Sequence, residues 1–150
     1  MICLVDTNVL LRLADPTHAH HLPALNAVRL LGANGDTLVI APQNLVEAWA
    51  VATRPVERNG LGFSVEEAKK LVRDSERLFD LLPDHPDVFT RWKSLVETHA
   101  VLGLNAHDAR LAAFMSVHQV PNILTFNGAD FRRFPELTVI SPDAVAPPRP

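Results

Sequence analysis

Cysteine is nearly missing from this chain of 150 residues: there is one, Cys3. No internal disulfide can form, so the fold has to rest on a packed core, and a reducing cytoplasm is the expected setting. Cys3 lies inside an apolar run, where a packed, unreactive thiol is expected. Long apolar runs are missing as well. None approaches the ~20 residues that a membrane-spanning helix needs, so no membrane span is expected. The opening stretch MICLVDTNVLLRLAD has no basic start and carries Asp6, so it is not expected to act as a secretory signal. An excess of positive charge is also lacking. There are 14 Lys and Arg against 17 Asp and Glu, a formal net charge of −3. Overall charge alone would not hold nucleic acid, although a local basic face is compatible with it. No internal repeat is visible. The Pro-rich end AVAPPRP is the exception to an otherwise mixed sequence, and residues 146–150 are expected not to pack.

What remains is ordinary for a globular protein. Hydrophobic residues make up 47% and charged residues 21%, which excludes disordered, collagen-like and disulfide-rich classes. The length predicts one domain, taken as residues 1–145. A chain of this size buries roughly 70% of its unfolded surface and needs neither disulfide nor metal to fold.

Two periodicities alternate along the chain. Ile2–Val5, Thr37–Ile40, Ile123–Phe126 and Thr138–Ile140 read as short strands, with Leu81-Leu82 as an edge strand. Helices are predicted over about 9–14, with Thr7 and Asn8 as caps, and over 20–31, ended by Gly32 or Gly35. A third starts at Pro42 and runs to about Thr53. Ser64-Val65-Glu66-Glu67 is a capping box. The helix after it carries Val65, Ala68, Val72 and Phe79 at helical spacing. A helix from Asp84 and Pro86 to about Ala100 follows, then one from Asn105 to His118. Apolar strands alternating with helices predict an α/β fold, a mostly parallel sheet with helices on both faces. Such sheets place their sites at the carboxyl ends of the strands.

Acids occupy that edge. Asp6 directly follows the first strand, and Asp130 comes soon after Ile123–Phe126. A helix cap and a solvated loop acid are the plain structural readings of these two. Glu47 stands among Leu45, Val46, Ala48, Trp49 and Ala50, a helix apolar nearly all round and so expected to be buried. A carboxylate there needs a partner or a metal. Arg12 and Arg54 are candidate ion-pair partners, and a polar stripe with Gln43 and Asn44 is the other structural reading. Asp108 opens the helix HDARLAA, where the helix dipole favours an acid. Like charges gathered in one crevice repel, and a hard divalent cation relieves the conflict. No Cys/His pair at zinc spacing competes.

These residues form an ordered set. Asp6-Thr7-Asn8 follows an N-terminal strand, Glu47 lies in the third helix, Asp108 opens HDARLAA, and Thr125-Phe126-Asn127 precedes Asp130-Phe131. From Ile2 to about Ile140 the chain resembles the PIN-domain ribonucleases, in particular the VapC toxins of bacterial toxin–antitoxin pairs. The resemblance implies a PIN-like fold and a Mg²⁺- or Mn²⁺-dependent endoribonuclease whose metal site comprises Asp6, Glu47, Asp108 and Asp130. Asp6 and Asp108 would be the principal ligands. Glu47 and Asp130 would complete the shell directly or through water. Thr7, Asn8, Thr125 and Asn127 match the family's flanking polar residues, with Asn127 an amide where some members carry a further acid. The resemblance also implies a homodimer and a VapB-type antitoxin whose C-terminal segment covers the acidic groove. Transfer, ribosomal and messenger RNA are all open as targets.

Metal ions held by carboxylates can activate water and stabilise a leaving oxygen, so no protein nucleophile is required. Arg12, Arg54, Arg58, Arg110, Arg132 and Arg133 are candidate phosphate contacts, Arg12 first among them. His18, His20 and His21 read as a polar loop, and His107 as a helix-start residue beside Asp108. Trp49 and Trp92 read as core or interface residues, not base-stacking platforms. A phosphatase of the haloacid dehalogenase type also places an acid after its first strand. It needs a second acid two residues later, where this chain has Asn8. A catalytically silent RNA-binding or interaction module on the same fold is the alternative from a different class.

Overall fold

The computed structural model describes residues 1–145; the Pro-rich segment 146–150 lies outside the described residues. The chain runs β1 (Ile2–Val5), α1 (Thr7–Leu13), α2 (His21–Ala33), β2 (Thr37–Ile40), α3 (Pro42–Thr53), α4 (Val65–Leu78), β3 (Asp80–Leu81), α5 (Asp87–Thr98), α6 (Asn105–Val117), β4 (Asn122–Leu124) and β5 (Thr138–Ile140). Short 3₁₀ turns cover Val56–Arg58, Gly128–Asp130 and Pro142–Ala144. The five strands form one sheet in the order β3-β2-β1-β4-β5, and every pairing is parallel.

Burial on both faces explains why β1 is wholly apolar. Its alternate side chains serve two cores. Cys3 and Val5, with Leu38, Ile40 and Leu124, pack on Val9 and Leu10 of α1 and Ala24, Ala27 and Leu31 of α2. Leu4 and Val39 face the other way, onto Val88 and Leu95 of α5, the Ala109–Met115 run of α6, and Phe131 and Phe134. Burial pushes the Cys3 thiol up to about 12, so it is a core thiol and not a nucleophile.

Several elements differ from the expectation in ways that packing explains. The cap of α1 is Asp6, not Thr7 or Asn8, and its carboxylate accepts from the Thr7 amide. Strand β4 stops at Leu124 and does not reach Phe126. Thr125 N still bonds Ile140 O, but Phe126 N turns away to Asn8 Oδ1 at 3.1 Å. Helix α3 is not buried all round. Only Asn44, Ala48 and Ala52 are buried, while Val46 is 69% exposed. Its small residues sit on Leu11 of α1 and Leu71 of α4, leaving the opposite side to solvent. The capping box of α4 forms as expected, Ser64 and Glu67 each bonding the other's amide. The buried face of α4 is Ala68, Leu71 and Ser75, whereas Val65 is exposed.

The topology fixes where a site belongs. From β1 the chain builds outward through β2 to β3, then returns to place β4 on the other side of β1. The order therefore reverses between β1 and β4, and the crevice of an open α/β sheet lies beyond the carboxyl ends of its strands at such a point.

Candidate active site

Asp6 emerges from β1 at this reversal. Its backbone amide continues the ladder to Leu124 O at 3.0 Å, and its side chain is only 7% exposed. Oδ1 accepts from the Thr7 amide at 2.7 Å. Oδ2 accepts from Thr125 Oγ1 at 2.7 Å and from Asn8 Nδ2 at 3.1 Å. A carboxylate offers about four acceptor positions, so one is left for a ligand. Burial pushes the Asp6 carboxyl up to about 6. The bonds from Thr125 and Thr7 oppose that rise, and the negative charges of Glu47 and Asp130 add to it.

Asn8 ties the two strand ends together. Its Nδ2 reaches Asp6 and Thr125 Oγ1, and its Oδ1 accepts from Phe126 N. Asn127 contributes its backbone amide, which donates to Thr125 Oγ1 at 3.0 Å, while its side chain is exposed. Thr7 points to the next acid, donating from Oγ1 to Glu47 Oε2 at 2.9 Å. Fully buried Asn44 donates to the same Thr7 hydroxyl and accepts from Ala41 N, which satisfies the start of α3. Glu47 therefore lies on a polar stripe with Gln43 and Asn44. Neither Arg12 nor Arg54 pairs with it among the described residues.

Gln43 joins α3 to α6. Its Nε2 donates to Glu47 Oε1 and to the carbonyl of His107, both at 2.8 Å. Its Oε1 accepts from Arg110 Nη1 at 2.9 Å. Asp108, one residue past His107, is half-buried and accepts no hydrogen bond among the described residues. Burial pushes its carboxyl up to about 7, Asp130, Asp6 and Glu47 each push the same way, and Arg133 alone pulls it down. Asp130 ends the 3₁₀ turn that follows β4. Asp6 and Asp108 thus both feel the charges of Glu47 and Asp130 at one edge of the sheet.

The other sequence candidates are scattered. Arg12 is half-buried in the last turn of α1, where its carbonyl meets His21 Nδ1. Arg54, Arg58 and Arg132 are exposed. Arg110 and Arg133 belong to the site's surroundings. The His107 ring is exposed, and its backbone carbonyl makes the contact to Gln43. The sequence pointed to Gln43 only as part of a stripe. Its clamp across two helices depends on α6 arriving beside α3, which no local pattern encodes.

A divalent cation can be tested against these residues. The donors are all oxygen, which suits Mg²⁺ or Mn²⁺. Asp108 is a half-buried carboxylate without a compensating bond among the described residues, and its pKa is raised first by burial and then by the neighbouring acids. Among the described residues no three His, Cys, Asp or Glu side chains converge closely enough to hold an ion by themselves. The chemistry and charge therefore fit a cation whose remaining ligands are water or substrate, as is usual for Mg²⁺.

The model of the PIN domain family matches residues 3–137, and the chain belongs to that family. No curated protein matches the sequence. Among solved structures, VapBC2 from Rickettsia felis bound to a promoter DNA fragment aligns with a TM-score of 0.70 at 16% identity, covering 94% of this chain and 98% of that one. VapBC-1 from nontypeable Haemophilus influenzae aligns at 0.68 and 18% identity, covering 95% and 98%. VapC20 from Mycobacterium tuberculosis, described as a sarcin-ricin loop cleaving toxin, aligns at 0.63 and 19% identity, covering 88% and 95%. The parallel sheet and its flanking helices are therefore the PIN fold.

Proposed function

We propose that the chain is a Mg²⁺- or Mn²⁺-dependent endoribonuclease and the toxin of a type II toxin–antitoxin pair. The observation that carries this reading is the placement of Asp6 at the reversal point of the sheet with Asp108 nearby, both carboxyls raised first by burial and then by the charges of Glu47 and Asp130. Four acids gathered where the fold places its crevice are costly without a cation. Family membership and the likeness to VapBC structures support the same reading. An antitoxin of the VapB type is the proposed partner, because the Rickettsia and Haemophilus structures are complexes of that kind. A homodimer is proposed on the family resemblance alone.

Asp6 and Asp108 would be the principal ligands, with Glu47 and Asp130 completing the set directly or through water. When bound, the cation would ease deprotonation of the attacking water and offset charge developing on the phosphate. The chain's own residues set up that site. Thr125, Asn8 and the Thr7 amide fix the Asp6 carboxylate by three bonds, leaving little freedom to rotate. Thr7 and Gln43 hold one Glu47 oxygen each. Asp108 and Asp130 accept no side-chain hydrogen bond among the described residues. Arg133, beside Asp108, is placed to meet a phosphate.

Expression of the chain alone in a bacterial host tests the reading. The wild type should arrest growth, and Asp6→Asn should relieve the arrest at equal protein level. Equal toxicity of both forms would point instead to a silent binding module.

A further inference from the structure

A hollow about 360 Å³ in volume is walled by His85, Pro86, Val88, Phe89, Trp92 and Arg110. It has no role in the scheme above. Phe89 and Trp92 stack with ring centroids 5.8 Å apart and planes 27° from parallel. Trp92 was expected in a core or interface. It packs, half-buried, against the core as expected, and its Nε1 donates to Ala106 O at 2.9 Å, which stops the indole from swinging. Phe89 is 64% exposed among the described residues, a costly position for an aromatic ring.

Arg110 connects this hollow to the acids. One side of its guanidinium bonds Gln43, whose amide also bonds Glu47 and the carbonyl preceding Asp108. The other side bonds Asp84 at 3.3 Å. The hollow is therefore tied through Arg110 and Gln43 to Glu47 and to the start of α6. We propose that the hollow is a nucleobase subsite, which takes one unpaired base of the RNA strand lying over the acids.

This inference rests on the reading of RNA as substrate. Two features favour a base over other occupants. Aromatic faces stack on any base, and single-stranded RNA is read by stacking splayed bases on such rings. The Arg110 charge is already offset by Asp84, which suits a neutral ring with a hydrogen-bonding edge better than a phosphate.

Fluorescence anisotropy in EDTA tests it. The probes are a short single-stranded oligoribonucleotide and an abasic ribose-phosphate strand of equal length and charge. The wild type should prefer the base-bearing strand by about tenfold, and Phe89→Ala should remove most of that preference with an unchanged melting temperature. Equal binding of the two strands, binding of neither, or a preference that survives Phe89→Ala would overturn the subsite. So would a Phe89→Ala variant that turns a dimer into a monomer and keeps the preference, because a second copy would then be the occupant. A parallel cleavage assay with Mg²⁺ separates the two readings. A Phe89-dependent preference without cleavage would leave the subsite standing and sink the nuclease. Cleavage without base preference would sink the subsite alone.

Discussion

At the scale of single residues, the site is defined by how differently its acids are held. Asp6 is a buried cap with three donors, while Asp108 is half-buried with none. Both carboxyls are raised above their ordinary value of 3.8, to about 6 and about 7. The folded chain therefore binds these protons more tightly than the unfolded chain does. The stability they contribute is complete below about pH 4 and is lost as pH rises through 6 and 7. In metal-free buffer, Asp108→Asn should therefore melt above the wild type at pH 8, and the gap should close towards pH 4. Thermal melts across that range check this, and a gap independent of pH would show that Asp108 is not strained by its neighbours. Saturating Mg²⁺ should narrow the gap at pH 8, since a ligand of the native state raises wild-type stability by mass action. The acids themselves were legible in the sequence, because each sits at an element junction or in an apolar setting. Their holders were less so. The order Asp-Thr-Asn suggested flanking polar groups, but the bonds of Asn8 to both Thr125 and Phe126 span 117 and 118 residues, and no spacing rule reaches that far.

At the scale of elements, two short connections set the geometry. Gln43 clamps α3 to the start of α6, and so fixes Glu47 relative to Asp108. Gln43→Leu should leave the fold intact and lower cleavage by about 10–100-fold, the usual cost of losing a group that orients a ligand. Measured kcat/KM at saturating metal checks it, and an unchanged value would assign the clamp to stability alone. The turn Gly128–Asp130 places the last acid. A Cβ at Gly128 would lie 2.8 Å from Val139 Cγ1 of β5, so the turn or the strand must shift. Gly128→Ala should thus reduce activity without altering any acid, and melting should drop as well. Full activity would mean that Asp130 tolerates displacement. Strand and helix order could be read from periodicity because β1, β2 and β5 are bounded runs with clear flanks. The misjudged elements have local causes. Helix α3 looked buried from Val46 and Trp49, yet only its Ala48–Ala52 side meets α1 and α4. Strand β4 was extended in the reading because Thr125 and Phe126 are good strand formers, whereas Asn8 captures the Phe126 amide.

At the scale of the whole molecule, the sheet order decides where the acids are placed. β1 and β4 are neighbours only because the chain crosses over after building β2 and β3. That crossover brings residues 6 and 125 together and opens the crevice at the point where the acids meet. Alternating strands and helices announced a parallel sheet, but not its order, which depends on crossovers that periodicity does not record. A formal charge of −3 would repel RNA at long range, and two divalent ions would more than offset it. No described helix is long and apolar enough to cross a membrane. The most direct measurement is cleavage of an RNA panel by the purified, partner-free chain in Mg²⁺ or Mn²⁺, in EDTA, and with Asp108→Asn. Cut products from the wild type with metal, and none from the variant or in EDTA, are the expected result. Equal cutting by Asp108→Asn, or cutting that persists in EDTA, would contradict a metal-dependent site built on these four acids.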